Sequence, residues 1–381
     1  MKKQLLYTLI LLFSAMLTFA QSNVKYEYDE IYRLTRVRYS NGTVVEYTYD
    51  ALGNRTAKEV TGGSAPIVEN AEPYAVLSNN NTLLTFYYDD QMEARGGMEA
   101  NIYPWISRAG EIKTVVFDAS FNQCKTINNT SYWFKNCENL TNIIGLSYLH
   151  TEAVNNMEWM FYNCSGLTSL DVSHFDTRNV TNMFGMFEGC TNLTGLDVSH
   201  FNTEKVTNMQ QMFSCCYSLK DLDLTHFDTR KVTNMRHMLS FCKSLEELDL
   251  RSFETGKVTD MGCMFRSSSK LKTITVAEDW DMSQVADSED MFDMCYSLVG
   301  GSGTTYDSSH TDNTYARIDG GTDSPGYFTF KEKTGVQGVS LDNKRELKCI
   351  YDLQGRKIPE LQKGLNIIRM NDATTKKVVI K

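Results

Sequence analysis

Three absences narrow what this chain can do. It has no surplus of positive charge: 47 Asp and Glu outnumber 38 Lys and Arg, giving a net charge of −9 and a pI near 5.3. Nucleic acids and anionic lipid surfaces are met by basic faces, so neither is an expected partner. Beyond residue 20 no apolar run reaches the roughly 20 residues that cross a bilayer, so no membrane-spanning segment is expected once the N-terminal signal is gone. No Ser-His-Asp, Cys-His or paired-carboxylate arrangement stands apart from repeated positions. Gly301-Ser302-Gly303 lacks the strand–GxxxxGK–helix surroundings of a phosphate loop. An enzyme is therefore not expected, and neither is a cofactor or a metal.

What is present begins with an export signal over 1–20. Lys2-Lys3 supplies the basic end, 5–17 the apolar run and Thr18-Phe19-Ala20 the small-residue cleavage site. Gln21 rather than Cys follows, so no lipid is expected there. Ten cysteines in an exported chain invite disulfides. Yet Cys164, Cys190, Cys216 and Cys242 hold one position in successive units. Side chains that point the same way form a packed ladder more readily than cross-links, because bridging needs converging Cβ vectors.

The dominant feature is a period of 26. Met160-Phe161 recurs as Met186-Phe187, Met212-Phe213, Met238-Leu239 and Met264-Phe265. A fixed period in this range signals units that stack and share one elongated core. Within a unit, Met183, Met186, Phe187 and Cys190 follow the i, i+3, i+4, i+7 spacing of one helical face, with Asn182 placed to cap it. Leu196-Asp197-Val198-Ser199 alternates like a short strand. The expected fold class is an α/β solenoid, one short helix and one short parallel strand per 26-residue unit, with small β modules at both ends. The Met columns are read as core.

Candidate binding residues come from two places. Asp171, Asp197, Asp223 and Asp249 form an acidic column on the strand face. Like charges opposite one another destabilise a sheet. Either nearby backbone, Ser and Thr satisfy them, or a basic ligand segment does. The residues before each Met-Phe vary most, and among them Trp159 and Phe184 are expected to be exposed aromatics of the kind enriched at interfaces; Trp159 folding back onto a neighbouring unit is the alternative. His174, His200 and His226 share one position, and half-exposed turn histidines are expected, since a line of imidazoles does not make a tetrahedral zinc site. Asp307, Asp312, Asp319 and Asp323 punctuate the closing segment without calcium-loop spacing.

Around the repeats, 21–60 carries paired Tyr-Asp units about Asn41-Gly42, expected to form a β-hairpin, and 61–73 reads as a linker. Residues 74–111 are expected to cap the stack's N-terminal end, with two strands between Tyr74 and Tyr88. The stack and its C-terminal cap span 112–330, and 335–381 reads as three strands of a small β module.

Repeats of the form MFxxCxxLxxLDxSxFxTxxVTNM, the opening YAVLSNNNTLLTFYYDD and the closing GTTYDSSHTDNTYARIDGGTDSPGYFTF resemble the BspA-like leucine-rich-repeat surface proteins of bacteria over 74–330. That resemblance implies a secreted or cell-surface protein, on the exterior of a bacterial outer membrane, that adheres to a protein or cell-surface macromolecule such as an extracellular matrix protein. A structural envelope scaffold without a specific host ligand, or an unrecognised hydrolase, is the alternative. The Tyr-Asp units resemble the YD repeats of the Rhs and teneurin families, although fewer than two are present. The YDLQGR, KGLN and final KKVVIK elements resemble the C-terminal sorting domains of type IX secretion cargo, implying an export address.

Overall fold

The structure, a computed structural model, describes residues 71–332 throughout, with four strands before them and four after. The signal segment 1–20 and most of the 61–73 linker lie outside the described residues. The first four strands, β1 (Lys25–Tyr28), β2 (Leu34–Arg38), β3 (Val44–Tyr49) and β4 (Arg55–Thr61), form an antiparallel meander in sequence order. The expected hairpin is thus the middle of a larger sheet, which suits the marginal stability of an isolated two-stranded ribbon.

The N-terminal cap is built as its alternating Tyr, Leu and Phe residues require. β5 (Glu72–Ser78) and β6 (Leu83–Asp89) pair antiparallel around Asn79, Asn80 and Asn81, all left-handed. β7 (Met98–Glu99) joins the outer edge of β5. On the other side β6 pairs in parallel with β8 (Thr114–Phe117), which pairs in parallel with β9 (Asn142–Ile144). The chain thereby passes from an antiparallel hairpin into the parallel stack without leaving the sheet. Phe86 stacks on Phe117 at 4.7 Å and on Trp133 at 5.0 Å, closing the core at this end.

From Asn129 to Asp287 the units stack in register. Parallel bridges run Asn129–Asn156–Asn182–Asn208–Asn234–Asp260–Asp287, one residue per unit. The Met, Phe and Cys positions are buried as expected, but they do not lie on an α-helix, and no α-helix occurs among the described residues. They lie on strings of three-residue-spaced turns. Met186, Glu188 and Cys190 donate their N–H to Met183, Gly185 and Phe187, while Met183, Gly185, Phe187 and Gly189 donate to Asn208, Gln210, Met212 and Ser214 of the next unit. Half of the N–H groups are therefore spent between units, whereas an α-helix spends them within itself. The alternation needs left-handed residues four apart in each unit: Trp159 and Asn163, Gly185 and Gly189, Gln211 and Cys215, His237 and Phe241.

Three polar ladders hold neighbouring coils together. Each ladder Asn or Asp accepts the N–H two residues ahead, as Asn182 Oδ1 does from Phe184 at 3.1 Å; the cap oxygen is where it was expected, and it opens a turn. Thr177 Oγ1 donates to the Asn202 carbonyl at 2.9 Å and accepts the Asn202 N–H at 2.8 Å, a double bond to one residue repeated at Thr151, Thr203, Thr229 and Thr255. Among the described residues the cysteine thiols are free, and Cys164, Cys190, Cys216, Cys242 and Cys295 each donate to the carbonyl of a Phe in the preceding unit, as Cys190 Sγ does to Phe161 at 3.3 Å. At the next such position Ser268 replaces cysteine and Ser268 Oγ donates to Leu239 at 2.8 Å, so the ladder requires a small donor rather than sulfur.

The strand half of each unit is mostly irregular. After β9, strands reappear only late, where β10 (Glu247–Asp249), β11 (Thr273–Val276) and β12 (Phe328–Phe330) pair in parallel; between β9 and β10 this half of the units contributes the single bridge Gly195–Asp221. Tyr327 and Phe328 then cover Phe292 and close the core. A separate antiparallel sheet of order β14-β13-β15-β16 is formed by β13 (Leu347–Tyr351), β14 (Lys357–Ile358), β15 (Gly364–Met370) and β16 (Thr375–Ile380), four strands where three were expected.

Candidate binding surface

The turn face of the first coils carries an aromatic cluster. Because each coil advances one register step, the residues before successive Met-Phe pairs lie side by side. Trp159 is 5.0 Å from Phe184, 5.5 Å from Tyr162 and 5.5 Å from Tyr132, measured between ring centroids. Tyr132 in turn stacks on Tyr103 of the cap at 5.4 Å. These rings are half-buried rather than exposed. The Trp159 indole lies across Gly185 of the following coil, where any Cβ would strike it. Trp159 and Phe184 are thus brought together, and Trp159 does fold onto its neighbour. Tyr103, Tyr132 and Tyr162 complete a patch that sequence reasoning left out; Tyr132 stands 27 residues before Trp159, one repeat step, and that offset was the available signal.

Charge is concentrated inside this patch. Lys135 Nζ sits 3.6 Å from the Trp159 ring centroid, 5.0 Å from Tyr132 and 5.3 Å from Tyr162. Burial pushes its ammonium below the usual lysine range, opposed by the charges of Glu158 and Glu188. Glu158 accepts hydrogen bonds from Tyr132 at 3.0 Å and Asn182 at 3.1 Å. Glu188 accepts from Gln211 at 2.9 Å, while its second oxygen is buried beside the Trp159 N–H without a well-aligned bond. Burial pushes the Glu188 carboxyl up to about 7, against the pull of Gln211, Trp159 and Lys135.

The acidic column behaves differently. Asp171, Asp197 and Asp223 each accept the N–H two residues ahead, at 3.0, 3.0 and 2.9 Å, and Asp249 grips Arg251 through both oxygens. These local bonds hold the Asp171, Asp197 and Asp249 carboxyls below the usual range. Of the two routes open to the column, local satisfaction is the one taken. Asp223 and Asp249 still line a groove of about 910 Å³ with Lys220, Lys270 and Lys331, but a ligand there would meet carboxylates already engaged.

His200 serves the stack. Its Nε2 lies 2.8 Å from the Val172 carbonyl of the preceding unit, and two coils further on Ser252 Oγ donates to Leu224 from the equivalent position. His174 and His226 line one groove with His200. In the closing segment Asp307 and Asp312 cap the N–H groups of Ser309 and Thr314. Asp319 is buried, and hydrogen bonds from Thr304, Gly321 and Ser302 outweigh that burial and hold its carboxyl down at about 2.

Comparison with known proteins gives the chain its relatives. No curated protein matches it. The crystal structure of a leucine-rich repeat protein from Bacteroides ovatus is 14% identical over 67% of this chain and 80% of that one, with a TM-score of 0.18. A leucine-rich repeat protein from Eubacterium ventriosum is 13% identical over 58% of this chain and 92% of that one, with a TM-score of 0.16. These neighbours are bacterial leucine-rich repeat proteins, and scores so low carry no finer argument. An RHS repeat matches residues 28–65, over the Tyr-Asp units. The family described as "Mycoplasma protein of unknown function, DUF285" matches 112–218 and again 189–302, together half of the chain, and the chain belongs to that family.

Proposed function

We propose that this protein is an exported, surface-displayed leucine-rich-repeat solenoid that binds a protein or cell-surface macromolecule through the aromatic patch of its first coils. One observation carries the reading. Tyr132, Trp159, Tyr162 and Phe184, at positions that the repeat leaves free to vary, gather on one face with Tyr103 of the cap. Half-buried Trp and Tyr side chains ringed by polar groups are the usual anchors of protein interfaces. The segment at 1–20 is read as the export signal and the sheet β13–β16 as a secretion-sorting module. Mass spectrometry of the mature protein's ends, with surface fractionation, tests that part; an intact Met1 and Lys381 on intracellular material would overturn it.

The binding test uses the mature full chain against immobilised matrix proteins and whole bacterial cells. Trp159→Ala combined with Phe184→Ala should weaken capture by at least about tenfold, as loss of a central aromatic anchor does. Undiminished capture by the double variant, or no capture by the wild type across the panel, sinks the proposal and favours an envelope scaffold.

A further inference from the structure

Within the patch, Lys135 holds an unusual position. Its ammonium faces three aromatic rings, and no carboxylate oxygen of the described residues makes an ion pair with it. The rings do not form a flat platform: Trp159 stands at 80° to Tyr132 and 47° to Tyr162. They enclose a point, as ring faces do around a cation, where a planar sugar face would need them coplanar. Glu158 and Glu188 stand close enough to act on the Lys135 charge, adding negative potential to that point. The chain as a whole is acidic, with a net charge of −9.

We infer that the Tyr132–Trp159–Tyr162 box is a receptor for an arginine or lysine side chain presented by a partner protein, and that Lys135 is the internal cation which that side chain displaces. This rests on the binding role proposed above and names the chemistry of the partner. Displacement follows on exchange grounds. Burial already disfavours the Lys135 charge, and Lys135 can swing its flexible stem into water when a guanidinium takes its place. A guanidinium also stacks on aromatic faces better than an ammonium does and is more weakly hydrated.

The test follows the four tryptophan indole N–H signals of the full chain by NMR, with Trp159 assigned through Trp159→Phe. The probe is N-acetyl-arginine amide; its neutral isostere, N-acetyl-citrulline amide, is the control. In Lys135→Ala the arginine probe should shift the Trp159 signal saturably, at least about tenfold more tightly than the citrulline probe, leaving Trp105, Trp133 and Trp280 in place. Wild type should need several-fold more probe, because Lys135 competes, and Lys135→Arg should need more still, because an internal guanidinium holds the rings better than an ammonium. No saturable shift in the alanine variant, or equal shifts from both probes, overturns the inference. Should the variant not fold, the wild-type titration carried to higher concentration decides by the same criterion. If neither probe discriminates while Trp159→Ala still abolishes macromolecule capture, the binding role stands and the cation does not. If the arginine probe binds but no macromolecule is captured, the reverse holds.

Discussion

The two ends of the turn face share one backbone and present opposite surfaces. In the first coils its variable columns carry Tyr132, Lys135, Glu158, Trp159, Tyr162 and Phe184. Three coils later the same columns carry Arg236, His237, Cys263, Arg266, Asp290 and Asp293. There Arg236 reaches Asp287 at 2.5 Å and Asp260 at 3.6 Å, and Arg266 reaches Asp290 at 3.0 Å and Asp293 at 3.3 Å. Arg236 and Arg266 thus have carboxylates of their own, whereas Lys135 faces rings. The stack sets where side chains stand, and the columns that pack nothing decide whether a face is closed on itself or open to a partner.

The sharpest way to break this contrast is to disturb the glycine under the indole. Gly185 is left-handed at φ +55°, and the Trp159 ring occupies the space its Cβ would need. Gly185→Ala should cost about 2–4 kcal/mol, combining backbone strain with overpacking, read as a lowered urea midpoint. At the other end His237 holds the same left-handed position with its side chain already accommodated. His237→Gly should leave the midpoint within about 0.5 kcal/mol of wild type. Equal effects at the two sites would show that the aromatic patch does not rest on Gly185.

Function should divide along the same line. Trp159→Ala should reduce partner capture by about tenfold or more, near 1.4 kcal/mol, and Arg266→Ala by less than about twofold, since Arg266 already spends its charge on Asp290 and Asp293. Surface capture measured on both variants separates the ends.

Titration supplies a smaller effect with a definite sign. Glu188 has its folded pKa raised to about 7, so the folded state holds a proton that the unfolded chain gives up near pH 4.3. The stability this adds is complete below that value and is lost as pH rises through about 7. Glu188→Gln should remove the slope and stabilise the protein at pH 8 by on the order of 1 kcal/mol, a figure reduced for partial solvent screening. Asp319, at the far end, has the opposite sign: held at about 2, it stabilises the fold above pH 4 and that contribution fades as pH falls toward 2. Thermal melts from pH 2 to 8 on Glu188→Gln and Asp319→Asn check both directions. The smallest change belongs to the acidic column. Asp197→Asn keeps the acceptor for Ser199, so stability should move by less than about 0.5 kcal/mol and capture not at all; a measurable loss of capture would return the column to the binding surface.

Much of this architecture was legible in the residues, and the part that was not has a physical cause. The 26-residue period and the buried Met, Phe, Leu and Cys positions follow from spacing alone, because stacked identical units must bury identical positions. The cap role of Asn182 followed from its short side-chain oxygen. The helix was misread because spacing of i, i+3, i+4, i+7 fits an α-helix and a string of three-residue turns equally well. What separates them is a left-handed residue every fourth position. Asn136, Asn163, Gly185 and Gly189 hinted at it, but Trp159, Gln211, Cys215 and Phe241 adopt the same conformation against their preference. The aromatic box was half legible: Trp159 and Phe184 stood out as irregular, but Lys135 and Glu188 belong to another column. Only the offset between columns, which the turns determine, brings them beneath the same indole.

The Thr hydroxyls bonded to both backbone groups of one residue in the next coil carry a mechanical meaning. Every such staple spans a single interface, so tension along the stack is passed from coil to coil rather than shared among them. Under pull, coils should peel away one at a time, each releasing about 90 Å of chain for its 26 residues. A surface protein held at one end and gripping at the other would then lengthen stepwise under load, its remaining coils still folded.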